Sequence, residues 1–373
     1  MEKNLLSDIQ EKLLMGPGPS CVPPSVYEAL SRPTIGHLDP DFIAIMDEIK
    51  TMLQRVLRTE NNLTIPISGT GSAGMETCFV NLVEPGDSVL ILSNGVFGMR
   101  MQDVAARLGA KVDALEFEWG TPVLPEDVRK KLEGNAYKIV AIVHAETSTG
   151  VLNPVAEVGS LLKGSESLYL VDTVTSLGGI DICVDEWGID VLYSGTQKCL
   201  SCPPGLSPVT FSDRAAEVLK KRKNKVPNWY LDLSLLTQYW AGETRVYHHT
   251  APINMLYGLY QALYLIIEEG PENVYARHRE NHELLVKGLE ELGLKMLVDA
   301  SCRLPMLNSV LVPDGIDEAG VRKTLLNQYQ IEIGAGLGSL AGKIWRIGLM
   351  GHTAHPENVR RLLDALSDII SKK

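Results

Sequence analysis

Asp172 closes an apolar run, Leu168-Tyr169-Leu170-Val171, and Lys198 follows a second one, Val191-Leu192-Tyr193, through the turn Ser194-Gly195-Thr196-Gln197. Each run reads as a buried strand, so the carboxylate and the amine should both emerge at the C-terminal edge of a sheet, where open α/β sheets bind ligands. A carboxylate in that position is expensive unless it is paired or hydrogen-bonded. Two readings of the pair are open. One is a buried salt bridge, or two charges unrelated to each other. The other is the minimum equipment of a pyridoxal-phosphate (PLP) enzyme, with Asp172 against the pyridine nitrogen and Lys198 forming a Schiff base. In that second reading Asp172 keeps the ring nitrogen protonated so that the ring accepts electrons. Lys198 then carries the proton once an incoming amine has displaced it.

A second constellation, Gly69-Thr70-Gly71-Ser72-Ala73-Gly74, fits the G-x-G-x-x-G dinucleotide fingerprint between an expected strand and an expected helix. A dinucleotide site also wants an acidic residue after the next strand. That strand, Val89 to Leu92, runs into Ser93-Asn94-Gly95, and Asp87 lies before it. A hydride-transferring dehydrogenase is therefore disfavoured. What survives is a small-residue loop offering backbone N–H groups and the positive end of a helix dipole to an anion. A cofactor phosphate suits it as well as a pyrophosphate, and a plain tight turn is the structural alternative.

The elements that must position these residues are short apolar runs alternating with helical patterns. Strands are expected at Leu63–Ser68, Ser88–Ser93, Lys138–His144, Ser167–Val171, Val191–Ser194 and Pro208–Ser212. Several are apolar on both faces, as in a parallel sheet covered by helices, which points to a doubly wound α/β domain. Gly270-Pro271 should stop one helix and start another, which runs to about Leu292 and leads into a smaller α+β region. The division expected is an arm over 1–20 ending in a Gly/Pro cluster, a large domain over 21–270 and a small one over 271–373.

Composition narrows the function classes. With 373 residues and a formal charge of −11, the chain is a poor partner for nucleic acid. The basic run Lys220, Lys221, Arg222, Lys223 and Lys225 reads as a solvated helix end. No apolar stretch has the length of a membrane span and no signal-peptide pattern opens the chain, so a cytoplasmic protein is expected. The terminal Ser371-Lys372-Lys373 resembles a peroxisomal tripeptide without its final Leu. Cys199 and Cys202 form a C-x-x-C with no second ligand pair, so neither a zinc site nor any other metal is expected, and a redox role is the weaker reading.

Seven segments, taken in order, carry a resemblance. They are Leu14-Met15-Gly16-Pro17-Gly18-Pro19-Ser20, Ser68-Gly69-Thr70-Gly71, His144-Ala145-Glu146-Thr147-Ser148-Thr149-Gly150, Val171-Asp172-Thr173-Val174, Tyr193-Ser194-Gly195-Thr196-Gln197-Lys198, Tyr247-His248-His249-Thr250 and Arg346-Ile347-Gly348-Leu349-Met350-Gly351. Together they resemble the class V aminotransferases, most closely the alanine–glyoxylate (serine–pyruvate) aminotransferase family, over nearly the whole chain. The resemblance implies the fold type I PLP-dependent transferase fold. That is a large domain with a mostly parallel seven-stranded sheet plus a smaller C-terminal α+β domain, assembled as a homodimer with shared active sites.

Roles follow from the resemblance position by position. Lys198 would hold the cofactor and Asp172 its pyridine nitrogen. Phe97 would stack on the ring, where many relatives have Trp. Thr70, Gly71 and Ser72 would bind the phosphate, with the side-chain amide of Gln197; relatives often have His in place of Ser72. Thr147 would lie near the PLP hydroxyl. Tyr247 and Thr250 would reach the phosphate of the neighbouring subunit. Arg346, set in the apolar run Ile344-Trp345-Arg346-Ile347, would clamp the substrate carboxylate through its planar fork. Gly18 would bring backbone near the substrate, and His37 would either face substrate or be an ordinary loop histidine.

The implied reaction is ping-pong transamination between a small amino acid, alanine or serine, and a 2-oxo acid, glyoxylate or pyruvate. Other donors, of the 3-hydroxykynurenine or ureidoglycine type, fit the same fold. A cysteine desulfurase is disfavoured, since Gln197 precedes the lysine where a His is common and the stretch from Ile331 to Leu340 holds no Cys.

Overall fold

The computed structural model describes residues 4–240 and 245–371. The main sheet has seven strands, β1 (Leu63–Ser68), β2 (Ser88–Ser93), β3 (Lys111–Glu116), β4 (Ile139–Val143), β5 (Leu168–Asp172), β6 (Val191–Tyr193) and β7 (Leu206–Phe211). Their spatial order is β1-β7-β6-β5-β4-β2-β3. β7 alone is antiparallel to its neighbours, and the remaining pairs are parallel. The expected α/β fold with a mostly parallel seven-stranded sheet is the one observed. Every residue of β4, β5 and β6 is buried, which is why these runs are apolar without alternation.

Sequence and structure part at two strands. β3 has no apolar run, because it is the half-exposed edge of the sheet and carries Lys111, Asp113 and Glu116. β7 begins at Leu206, before Pro208, which pairs in register with Pro66. Between β1 and β7 the two prolines cost no ladder bond, because their pair sits at a non-hydrogen-bonded position; on the β6 side the missing Pro208 N–H leaves the Ser194 carbonyl to accept from the Ser207 hydroxyl instead. The Pro208 carbonyl turns the other way and accepts from the Ser194 N–H at 2.8 Å.

Helix α1 (Pro40–Leu57) shows what holds the covering layer. It has Pro40 at its first position, and its capping Asp39 accepts from the Asp41 N–H at 2.9 Å. Phe42, Met46, Ile49, Leu53 and Leu57, at helical spacing, are fully buried. Each such side chain contributes roughly 1.5–3 kcal/mol against about 1 kcal/mol for a cap, so packing rather than capping fixes this helix. Two further helices lead from the sheet into the site, α2 (Gly71–Leu82) after β1 and α3 (Val96–Arg107) after β2.

Beyond α4 (Ile253–Glu269), the helix α5 (Pro271–Glu291) starts and ends close to where Gly270-Pro271 and the apolar spacing put it. It packs with α6 (Pro356–Ser371) on a four-stranded sheet. Its strands β8 (Lys295–Met296), β9 (Leu307–Leu311), β10 (Gly334–Ala335) and β11 (Ile344–Gly348) run in the order β8-β9-β11-β10, each antiparallel to the next. The N-terminal segment is fastened alongside this smaller sheet. Leu13–Leu14 pair in parallel with Ile331–Glu332, and the Met15 carbonyl accepts from the Gly348 N–H at 2.7 Å. A Cβ at Gly348 would lie 1.9 Å from the Gly16 carbonyl oxygen, so only glycine permits this approach. Among the described residues no helix is long and apolar enough to cross a membrane.

Candidate active site

Five segments converge at the C-terminal edge of the parallel strands: the first turn of α2, the first turn of α3, the loop after β4, the end of β5 and the loop after β6. Together they line an open cleft. Thr70, Gly71, Ser72, Phe97, Thr147, Asp172, Gln197 and Lys198 all line it, so eight of the residues singled out in the sequence meet in one place.

Asp172 is buried and ends β5. Its Oδ2 accepts from the Tyr193 hydroxyl at 2.6 Å and its Oδ1 from the Val174 N–H at 2.8 Å. Burial still pushes the carboxyl up to about 6, with these two donors pulling the other way. The pair with Lys198 is not a salt bridge, because the lysine Nζ donates instead to the Pro17 carbonyl. Burial, reinforced by the charge of Arg346, brings the amine down to about 8. A lysine with so low a value is a usable nucleophile near neutral pH.

The N-terminal arm is fastened over this lysine. Ser20 donates from its hydroxyl to the Lys198 carbonyl at 2.7 Å and from its backbone to the Gln197 carbonyl at 2.9 Å. Gly18, at φ +101°, lies in the left-handed region, and a Cβ there would come within 2.6 Å of Lys198 Cδ and Nζ. Side-chain bulk at this position would collide with the amine itself.

At the other end of the cleft, α2 starts with Thr70 as its cap residue and Gly71 and Ser72 in its first turn. First-turn N–H groups have no carbonyl partner inside a helix and are ready to bind an anion. A Cβ on Gly71 would press on Val174 at 3.3 Å. The buried Gln197 Oε1 has no hydrogen-bond partner. Turning that amide over would present its NH₂ group to the same space.

Phe97 sits in the first turn of α3, half-buried, with the Arg100 guanidinium 5.1 Å from its ring centroid. Arg346, on β11, is buried. Its Nε donates to the Ala335 carbonyl at 2.6 Å and its Nη1 to the Thr147 carbonyl at 3.1 Å. Among the described residues no carboxylate forms an ion pair with it, and burial pulls the guanidinium down to about 10, leaving it cationic at neutral pH. A buried cation with an unused Nη2 is equipped to take a ligand carboxylate.

Three expected residues lie elsewhere. Tyr247 and Thr250 do not line this cleft; both are exposed, with 3.4 Å between their hydroxyl oxygens. His37 packs its ring 5.1 Å from that of Tyr247 and 6.5 Å from that of Tyr239, on the same exposed patch. Cys199 and Cys202 are buried free thiols. The sequence reading gave no role to Tyr193, Arg100 or Glu146. Tyr193 could have been suspected only from knowing that β5 and β6 are adjacent and in register, Asp172 opposite Tyr193. Glu146 is fully buried in an otherwise neutral stretch, a signal of the same kind as Asp172.

The residues fit PLP. A buried carboxylate suits a pyridinium nitrogen, an amine of lowered pKa suits an aldehyde, first-turn N–H groups suit a phosphate, and Phe97 supplies a face for an aromatic ring.

Comparison with known proteins agrees. The family described as aminotransferase class V matches residues 21–362. A crystal structure of alanine–glyoxylate aminotransferase from Nostoc sp. superposes with a TM-score of 0.97 at 50% identity, covering 99% of this chain and 98% of that one. The alanine–glyoxylate aminotransferase of Rattus norvegicus is 43% identical over 97% of this chain and 88% of its own length. The (S)-ureidoglycine–glyoxylate transaminase of Bacillus subtilis is 41% identical over 96% of this chain and 90% of its own.

Proposed function

We propose, from the premise that this chain belongs to the class V aminotransferase family and is a PLP-dependent aminotransferase, that it transfers the amino group of alanine to glyoxylate. The observation that carries the reading is the buried Lys198 amine and the buried Asp172 carboxylate in one cleft, not paired with each other, with the Arg346 guanidinium near enough for its charge to act on the amine.

PLP, when bound, supplies an electron sink for the charge left when a substrate C–H bond breaks. Everything else is the work of this chain. Asp172 holds a proton on the pyridine nitrogen. Lys198 binds the cofactor covalently, and its freed amine moves the proton at the substrate α-carbon. Phe97 would cover the ring, Thr147 would lie by its hydroxyl, and Thr70, Gly71, Ser72 and Gln197 would bind the phosphate. Arg346 fixes the substrate carboxylate, which orients the α-hydrogen toward the lysine. Gly18 leaves the lysine room to move. The enzyme is a homodimer in which Tyr247 and Thr250 complete the neighbouring phosphate site. The exposure of Tyr247 together with Trp229 and Tyr230 supports such an interface. The six free cysteines suit a reducing compartment such as the cytoplasm.

Ureidoglycine as donor is the second reading, favoured by the 41% identity to the Bacillus subtilis enzyme. Half-reactions with alanine, serine and ureidoglycine, followed by the visible absorption of the bound cofactor, separate the two. In the same assay Lys198→Ala should fold but lose that absorption and nearly all turnover. Intact transamination in the variant would overturn the assignment.

A further inference from the structure

Glu146 is fully buried, and among the described residues no cation forms an ion pair with it. A buried carboxylate in that position must be satisfied by hydrogen bonds. It receives three. Its Oε1 accepts from the Ser148 N–H at 3.0 Å and the Ser148 hydroxyl at 2.6 Å, and its Oε2 accepts from the Phe97 N–H at 3.2 Å. The Ser148 oxygen in turn accepts from the Val96 N–H at 3.0 Å. The first two N–H groups of α3 therefore end on two side chains of the loop after β4. The segments touch so closely that a Cβ on Gly95 would lie 2.4 Å from both Glu146 Cδ and Ser148 Oγ.

A helix start needs less than this. Ser, Thr or Asn caps a helix without a buried charge, and burial here pushes the Glu146 carboxyl up to about 7, a measure of what keeping it costs. What distinguishes this helix is its load, since Phe97 and Arg100 both line the cleft. Thr147, between the two anchoring side chains, lines it as well, and its carbonyl holds Arg346. One three-residue turn thus fixes the ring face on one side and the guanidinium on the other.

We propose that Glu146 is a positioning residue for the cofactor, acting through the Phe97 amide and Ser148 to fix the ring that α3 presents to the cleft. The inference rests on the functional reading above. Glu146→Gln keeps an acceptor for Ser148 and turns a donor toward the Phe97 N–H.

Two measurements test it. In the cofactor-free protein, hydrogen exchange of the amides at 95–98 should accelerate about tenfold or more, the loss expected for one hydrogen bond to a charged group, with the rest of the chain unchanged. In a double-mutant cycle, Glu146→Gln and Phe97→Ala should each weaken PLP binding and reduce the visible circular dichroism of the bound cofactor. Combined, they should lose no more than the worse single variant. Unchanged exchange at 95–98, or losses that simply add, would overturn the proposal. If Glu146→Gln does not fold, Ser148→Ala, which removes the Val96 acceptor and keeps the carboxylate, is read in the same two ways. If the wild-type protein takes up PLP with no visible absorption, it is the functional reading that fails. The exchange result then still decides whether Glu146 holds α3.

Discussion

Tyr193 donates its hydroxyl proton to Asp172 Oδ2 across 2.6 Å, from the position directly opposite on the neighbouring strand. Both residues are buried, and the bond opposes the effect of burial on the carboxyl. Tyr193→Phe leaves only the Val174 N–H, so the carboxyl should hold its proton to higher pH. PLP binding to the cofactor-free protein should weaken on the acid side of a midpoint near 6 in the wild type, and that midpoint should rise in Tyr193→Phe. An unchanged midpoint would separate Tyr193 from the charge on Asp172.

Asp172 also makes stability depend on pH. Its folded value, about 6, lies above the ordinary 3.8, so the folded protein binds this proton more tightly than the unfolded chain does. The resulting stabilisation is fully present below the ordinary value and is lost as the pH rises through about 6. Asp172→Asn cannot titrate. In the cofactor-free protein its thermal midpoint should therefore gain on the wild type between about pH 4 and 7, whatever the offset at the acid end. A constant difference across that window would mean that the carboxyl is not shifted.

These two residues mark where sequence reasoning reached and where it stopped. Asp172 and Lys198 are legible because each follows an apolar run that reads as a buried strand, and the resemblance of the segments around them favours the cofactor reading over a buried salt bridge. The fastening of Tyr193 to Asp172 is not legible, because it comes from strand order and register, which no local pattern encodes. β3 escaped because an edge strand with Lys111, Asp113 and Glu116 has no core to fill on one side. Glu146 lies inside one of the seven segments that carry the resemblance. Its partner, the Phe97 amide, comes from a helix that lies 49 positions earlier in the chain.

The Lys198 amine gives a third test. Burial lowers it to about 8, and the positive charge of Arg346 adds to the effect. Only the neutral amine attacks an aldehyde, so the rate of PLP capture by the cofactor-free protein should rise with a midpoint near pH 8. Removing the cation in Arg346→Gln should let the amine keep its proton to higher pH, moving the midpoint up and slowing capture at pH 7.5. A wild-type midpoint near the ordinary 10.5 would show that the amine is solvated and that the cleft does not activate it.

The last prediction concerns the exposed pair Tyr247 and Thr250, which line no part of their own chain's cleft. If they complete the neighbour's phosphate site, lesions can be sorted between the two sites of a mixed dimer. One subunit would carry Lys198→Ala and the other Tyr247→Phe with Thr250→Ala. Under sharing, one site draws an intact lysine from the second subunit and intact Tyr247 and Thr250 from the first, while the other site collects every lesion. Under a single-chain arrangement, each site keeps one defect. Purified mixed dimers, with assembly established by sedimentation, should then regain wild-type PLP affinity and turnover at half of their sites. Mixed dimers no better than the two parents would return Tyr247 and Thr250 to the surface of their own subunit.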